Sequence, residues 1–263
     1  MSITILIHSS KTMRITAPTT PATTPLLIDK TKPLAAYIQT LNPAQIQSAM
    51  NVSEALSHKV HNMWAEWSSE ANQQSLAVDS FVGDIYSGLQ ANTLSKEDRD
   101  YAQQTLRILS GLYGVLRPYD GVRPYRLEMG YQLPHPRYKN LYTYWGTSVA
   151  DTLASEGLVV NLSAVEYTKT VLPYIDAGRV IAPRFLTKDS KTGSFKQVIV
   201  HTKIARGAFA RWLVQSRVTL ADDLVLFSEL NYHYEASLST PAEPVFVCED
   251  FGGIGLSMRL QKD

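Results

Sequence analysis

Four arginines, Arg107, Arg117, Arg123 and Arg126, surround a turn with two closely spaced glycines, Ser110-Gly111-Leu112-Tyr113-Gly114. Gly111 and Gly114 let a chain turn tightly and expose backbone N–H groups, which suit a phosphate oxygen. The guanidinium groups supply positive charge on both sides of that turn. With an apolar, helix-like run leading in, the outline is that of a helix-hairpin-helix, which holds a nucleic-acid backbone without reading its bases. The expected DNA contacts here are Gly111, Gly114, Arg107, Arg117, Arg123 and Arg126.

Three other constellations carry chemistry. His8-Ser9-Ser10-Lys11-Thr12 follows a buried strand, where a lysine among hydroxyls binds phosphate or carboxylate, although the glycines of a P-loop are missing. In Asn161-Leu162-Ser163-Ala164-Val165-Glu166-Tyr167, Ser163 can cap a helix with Glu166 as its capping-box partner. The functional alternative is that Asn161, Ser163, Glu166 and Lys169 line a cleft at a strand's C-terminal end, where ligands bind in α/β sheets, with Tyr167 stacking or donating a proton. Further on, Lys203 and Arg206 lie three apart and can grip adjacent phosphates, with Arg211 extending the row. The plainer reading of each charged cluster is a solvated surface.

No metal or cofactor is expected. His58 and His61 sit three apart on a helix with no acid at ligand spacing, and Cys248 is the single cysteine, which rules out an internal disulfide. No G-x-S-x-G elbow or metalloprotease signature occurs. Tyr113, Tyr119, Tyr125, Tyr142 and Trp145 can stack bases, but aromatics at 10% of the chain are needed mostly for core.

The elements that must position these residues follow from periodicity. Ser2 to His8 reads as a central strand, and the proline- and threonine-rich stretch Ala17 to Pro25 as an extended loop. Asn42 and Pro43 open a helix bearing Ile46, Ala49 and Met50, with further helix through Trp67 and again around Gln73 to Asp79. Ser95 with Asp98 resembles a capping box opening a helix through Tyr101, Ala102, Leu106 and Leu109, which would deliver Arg107 to the glycine turn. A helical stretch over Leu141 to Leu153 and a strand over Leu158 to Leu162 come next. Arg179 to Leu186 and Phe195 to His201 form a hairpin turned at Thr192-Gly193, then a helix spans Ile204 to Val214 and a last strand Pro244 to Cys248. This order predicts one mixed α/β domain over residues 1–263, with antiparallel pairing in its second half.

Composition sets the outer bounds. No apolar run is long enough to span a bilayer, and Ile3 to Ile7 is too short and lacks the basic leader of a signal peptide, so a soluble, cytoplasmic protein is expected. The net charge of +1 hides an asymmetry: residues 99–139 hold seven bases against three acids and residues 179–217 nine against one. Brought together, two such segments make a positive groove suited to a polyanion.

With these residues assembled, the chain resembles the YaaA family of bacterial peroxide-stress proteins. The likeness rests on Lys11-Thr12, Gly83 to Leu89, Leu109 to Pro118, Pro124 to Gly130, Leu141-Tyr142 with Trp145-Gly146, Asn161-Leu162-Ser163 with Glu166-Tyr167, and Ala205-Arg206-Gly207. The resemblance implies a single-domain α/β fold, a helix-hairpin-helix, a positive DNA-binding cleft and a role in limiting oxidative damage and free iron. Carried over, the hairpin falls on Ser110, Gly111, Tyr113 and Gly114, and the cleft on Lys11, Arg117, Arg126, Lys169, Lys203 and Arg206. Two departures, His8-Ser9-Ser10 where the family usually has Ser-Pro-Ala and Asn231-Tyr232 for a Gly-Tyr pair, reshape one wall of the cleft without altering charge.

Two functions therefore compete. One is non-specific binding of double- or single-stranded DNA through hairpin amides and the basic groove. The other is an enzyme acting on a small anionic or nucleotide ligand, with Lys11, Asn161, Ser163, Glu166 and Tyr167 in one pocket and Glu166 beside Lys169 as a general base. A closed pocket favours the second, an open groove the first.

Overall fold

The computed structural model describes residues 2–17, 22–69 and 74–253; the middle of the 17–25 loop and the start of the helix expected around Gln73 lie outside them. Its centre is a five-stranded sheet in the order Gly114–Leu116, Leu106–Ser110, Ile3–His8, Leu158–Asn161, Val180–Ile181. Ile3–His8 runs parallel to both neighbours, with Ile5 opposite Leu106 and Ile3 opposite Leu158. Ile3, Ile5, Leu6 and Ile7 are all buried, the continuous apolar run that a strand covered on both faces requires. The chain leaves these three parallel strands at one end of the sheet, after His8, Ser110 and Asn161, and the side chains that could do chemistry collect there.

A second sheet, ordered Phe195–Lys196, Arg184–Lys188, Val245–Cys248, His233–Tyr234, packs beside the first. Its outer pairs are antiparallel and its central pair parallel, so the expected hairpin and last strand are present in one mixed α/β body. Asn42 caps helix Pro43–Met50 by accepting the Gln45 N–H, and Gln45 reciprocates, a capping box that holds Ile46, Ala49 and Met50 in the core.

Helix Lys96–Thr105 starts as expected, with Ser95 accepting the Asp98 N–H, but ends sooner. Leu106 is extended at φ −88° and ψ 136°, and Leu106–Ser110 is a strand. A short apolar run fits helix and strand alike; a place beside Ile3–His8 decides it, because Leu106, Ile108 and Leu109 there bury completely. The glycine turn is consequently a β-hairpin, with Ser110 paired to Gly114, and the helix-hairpin-helix outline is corrected. Likewise, only the five residues Leu141–Trp145 of the expected 141–153 helix are α-helical. Residues 75–80, within the region expected to be helical, form strand Ser75–Leu76 and the short helix Ala77–Ser80. The helix expected from Ile204 begins at Ile199, so His201 belongs to helix Ile199–Ser216.

That long helix crosses helix Asp84–Leu89 at two glycines. A Cβ on Gly88 would sit 2.0 Å from the Ile204 carbonyl oxygen, and one on Gly207 1.8 Å from that of Ile85. The two backbones touch because neither helix carries a side chain at the crossing. This contact fixes Lys203 and Asp84 at the end of the central strands.

Candidate functional site

A cavity of about 500 Å³ opens where the central strands end, lined by segments 8–12, 82–86 and 164–167 together with Glu128 and Lys203. Its volume lies within the range of roughly 300–1,000 Å³ usual for small-ligand sites. His8, the last residue of the central strand, forms one wall by stacking on Tyr167 with ring centroids 5.0 Å apart and planes 20° apart. The His8 Nδ1 accepts the Ala164 N–H at 3.1 Å and lies 3.3 Å from Ser163 Oγ, so the neutral ring carries its proton on Nε2. Burial, together with the positive charges of Arg206 and Lys203, lowers the His8 pKa to about 3, and the ring stays uncharged at neutral pH.

Beneath this wall runs a chain of buried hydroxyls. Ser9 Oγ donates to the Tyr167 hydroxyl at 3.4 Å, Ser110 Oγ lies 2.6 Å from the Tyr125 hydroxyl, and Tyr125 also interacts with Ser9. Ser110 Oγ accepts the Tyr113 N–H at 3.0 Å. Burial raises the pKa of both Tyr125 and Tyr167, so they remain protonated donors. A satisfied network of this kind locks side chains that an apolar floor would leave free to rotate.

The acidic residues of the cavity are Asp84, Glu128 and Glu166. Glu166 Oε1 accepts the Gly130 N–H at 2.7 Å, an approach close enough that a Cβ on Gly130 would lie 3.1 Å from the same oxygen. That bond replaces the expected capping box: the short helix Val165–Thr168 has Ala164 at its N-cap with no side-chain cap, and Ser163 turns to His8. Burial raises the Glu128 pKa above the usual carboxyl range, against the pull of Lys11 and with the help of the Glu166 charge. No group of three or more His, Cys, Asp or Glu that could hold a metal ion occurs among the described residues.

The basic residues divide by whether they have partners. Arg117 binds Asp120 through both Nε and Nη2 and the Thr24 carbonyl through Nη2. Arg107 donates to the Leu106 and Gln103 carbonyls, and Arg211 to those of Leu89 and Gln90 and to Thr93 Oγ1. Lys169 lies over the Tyr142 ring at 5.7 Å. Arg123 is half-buried, and its backbone N–H donates to the Tyr113 hydroxyl at 3.4 Å. By contrast, the side chains of Lys11, Arg126, Lys203 and Arg206 make neither an ion pair nor a hydrogen bond with another described residue. The Nε atoms of Arg126 and Arg206 are buried without an acceptor. Such a group costs about 1–3 kcal/mol until something supplies the missing oxygen.

Two of these four cations line the cavity and the other two line hollows near it. Lys11 and Lys203 line it directly; Lys11 also faces, with Arg126, a neighbouring hollow of about 410 Å³. Arg206 shares a further hollow of about 410 Å³ with Lys169, Asn161 and Ser163. Of the five residues expected in one polar pocket, Lys11, Glu166 and Tyr167 meet in the cavity, whereas Asn161 and Ser163 open on this adjoining side. Asn161 Oδ1 accepts the Ser163 N–H at 3.0 Å and shapes the loop. Ser110, Gly111, Tyr113 and Gly114 are buried, and Trp145 Nε1 donates to the Gly111 carbonyl at 3.1 Å. Sequence reasoning named His8 and Ser9 only as members of the 8–12 loop, with no role of their own, and did not single out Asp84, Tyr86 or Glu128. All five sit inside or beside the segments 8–12, 83–89 and 124–130 that carry the chemistry and the family likeness, which was the available signal.

The fold and the site define a mixed α/β protein with a polar cavity, lined by acids and by lysines without ion-pair partners, at the ends of its parallel strands. The family model described as "Peroxide stress protein YaaA" matches residues 3–238, and the chain belongs to that family. A relative described as "UPF0246 protein", from Salinispora tropica, is 53% identical over 257 residues covering 97% of each chain. No helix among the described residues is long and apolar enough to cross a membrane.

Proposed function

We propose that the protein serves the peroxide stress response in the cytoplasm by holding the phosphate backbone of DNA across the cavity mouth, limiting oxidative damage there, including damage driven by free iron. The observation that carries this reading is the set of unpaired cations drawn from separated parts of the chain, Lys11 and Lys203 in the cavity and Arg126 and Arg206 in the hollows on either hand. Half-buried guanidinium groups that make no hydrogen bond favour a ligand that brings anionic oxygens, and a backbone brings several at fixed spacing. The basic segments 99–139 and 179–217 contribute Arg126 and the Lys203–Arg206 pair, so the groove is smaller than their full charge suggests.

The test is a fluorescence-anisotropy titration of a labelled oligonucleotide at about 50 and 200 mM salt, for which four phosphate contacts predict a log–log slope of roughly −3 to −4. Absence of binding, or binding indifferent to salt, overturns the reading. A second reading, an enzyme acting on a small anionic or nucleotide substrate, is favoured by the Glu128 carboxyl, raised by burial and set beside the Tyr167 hydroxyl as an acid–base group would be.

A further inference from the structure

The cavity and its rim have opposite chemistry at different depths. Lys11 and Lys203 are exposed at the opening, whereas Glu128 and Glu166 are half-buried and Asp84 is buried. Although Lys11 pulls electrostatically on Glu128, no ion pair joins Lys11 or Lys203 to Glu128 or Glu166. A bare phosphate is attracted to the rim and repelled from the floor. An apolar ligand wastes both. The arrangement fits a molecule that is anionic at one end and rich in N–H donors at the other, with a flat face to lie against the His8 ring, which is backed by the buried Tyr167.

Building on the nucleic-acid reading, we infer that the cavity receives one unstacked nucleotide, phosphate at Lys11 and Lys203 and base edge toward Glu128 and Glu166, and so selects bases with an exocyclic amino group. Glu166 Oε1 is occupied by the Gly130 N–H, while Oε2 makes no hydrogen bond among the described residues. A carboxylate accepts from the amino groups of adenine, cytosine and guanine. Thymine offers one N–H between two carbonyl oxygens, which the acids repel. Enzymes that take a base out of its stack read it in this way, by hydrogen bonds to its edge and by stacking on aromatic faces. Partners for both ends of the ligand are present here: unpaired cations outside, acceptors and an aromatic wall inside.

The experiment is calorimetric titration of the intact protein with dAMP, dCMP, dGMP, dTMP and inorganic phosphate, alongside the oligonucleotide assay. The three amino-bearing nucleotides should bind about ten- to a hundredfold more tightly than dTMP, the discrimination usual for a well-placed base contact. Phosphate should bind more weakly than any of the three. In Glu166→Gln the ratio should fall to about threefold or less while salt-dependent oligonucleotide affinity is retained or rises, since a negative charge near the backbone has been removed. Equal affinity for dTMP and dAMP, phosphate binding as well as the nucleotides, no mononucleotide binding at millimolar concentration, or an unchanged ratio in Glu166→Gln each overturns the inference. If the oligonucleotide still binds, only the inference falls; if it does not, the underlying reading falls as well.

Discussion

The glycine hairpin and the cavity rim are built from the same kinds of residue and use them in opposite ways. In the hairpin region the named polar groups hold one another or the backbone: Arg117 is held by Asp120, Ser110 by Tyr125 and the Tyr113 N–H, and Arg107 donates from one Nη to carbonyls although its buried Nε has no acceptor. At the rim, Lys11, Arg126, Lys203 and Arg206 hold nothing among the described residues. The hairpin glycines follow the same division. A Cβ on Gly111 would sit 2.3 Å from the Leu127 carbonyl oxygen, and Gly114 has φ +68° with Trp145 3.0 Å from where its Cβ would be. Gly111 lets segment 125–130 pack against the sheet, and that segment carries Glu128 to the cavity and Arg126 to the hollow beside it. In the proposed reading the hairpin is scaffold to the site beside it, and positive charge in a sequence counts toward binding only after internal partners are subtracted.

The strongest way to break this contrast is at Asp120, which is fully buried and accepts from the Arg117 backbone, from its guanidinium and from Thr23 Oγ1. Asp120→Ala removes one partner of a buried pair and should cost about 3 kcal/mol or more of stability, seen as a lower urea midpoint with an unchanged slope. Oligonucleotide affinity of the folded protein should stay at the wild-type value. A stable Asp120→Ala protein that no longer binds DNA would place the binding surface at the hairpin after all. Arg117→Ala probes the same pair from its more exposed side and should cost about 2 kcal/mol, the worth of charge-assisted hydrogen bonds, again with no change in salt slope.

How much of this was legible in the sequence depended on the range of the interaction involved. Local signals were readable: the Asn42 cap, the Ser95 cap, the buried strand at Ile3–His8 and the turn at Gly193 are each specified by a few neighbours. Leu106–Ser110 was not, because its apolar run suits a helix as well as a strand until Ile3–His8 lies alongside it. Lys11, Glu166 and Tyr167 could be placed in one pocket since each follows a predicted strand. Glu128 could not, since only packing through Gly111 and Gly130 brings it there. Whether an arginine is paired is likewise a tertiary fact: Thr24 and Arg117 are far apart in the chain.

The cavity wall adds a pH signature. His8 is neutral in the fold with its pKa lowered to about 3 by burial and by Arg206 and Lys203, whereas an unfolded histidine titrates near 6.5. Between these values the unfolded chain binds a proton that the folded chain refuses, so stability is present in full above about pH 6.5 and is lost as pH falls toward 3. The slope from this group is at most about 1.4 kcal/mol per pH unit. In His8→Asn, urea midpoints between about pH 6.5 and 4.5 should flatten relative to wild type, a window above most carboxylate titration. Parallel pH profiles would mean that His8 is solvated and does not form a dry wall.

The smallest effect is the most informative, because it reverses the sign seen at the hairpin. Arg126→Ala and Arg206→Ala each remove a half-buried guanidinium whose Nε has no acceptor. Stability should hold within about 0.5 kcal/mol or rise, since an uncompensated desolvation cost disappears. Affinity for an oligonucleotide should fall about five- to tenfold, near 1 kcal/mol, uniformly across base sequences, and the salt slope should shrink by about one for each phosphate no longer held. A double variant should then show roughly twice the drop in binding free energy, because Arg126 and Arg206 face different hollows and share no lining residue. If instead either substitution destabilised the fold as Arg117→Ala does and left the salt slope intact, the rim would be structural like the hairpin, and the distinction between engaged and free cations would carry no functional meaning.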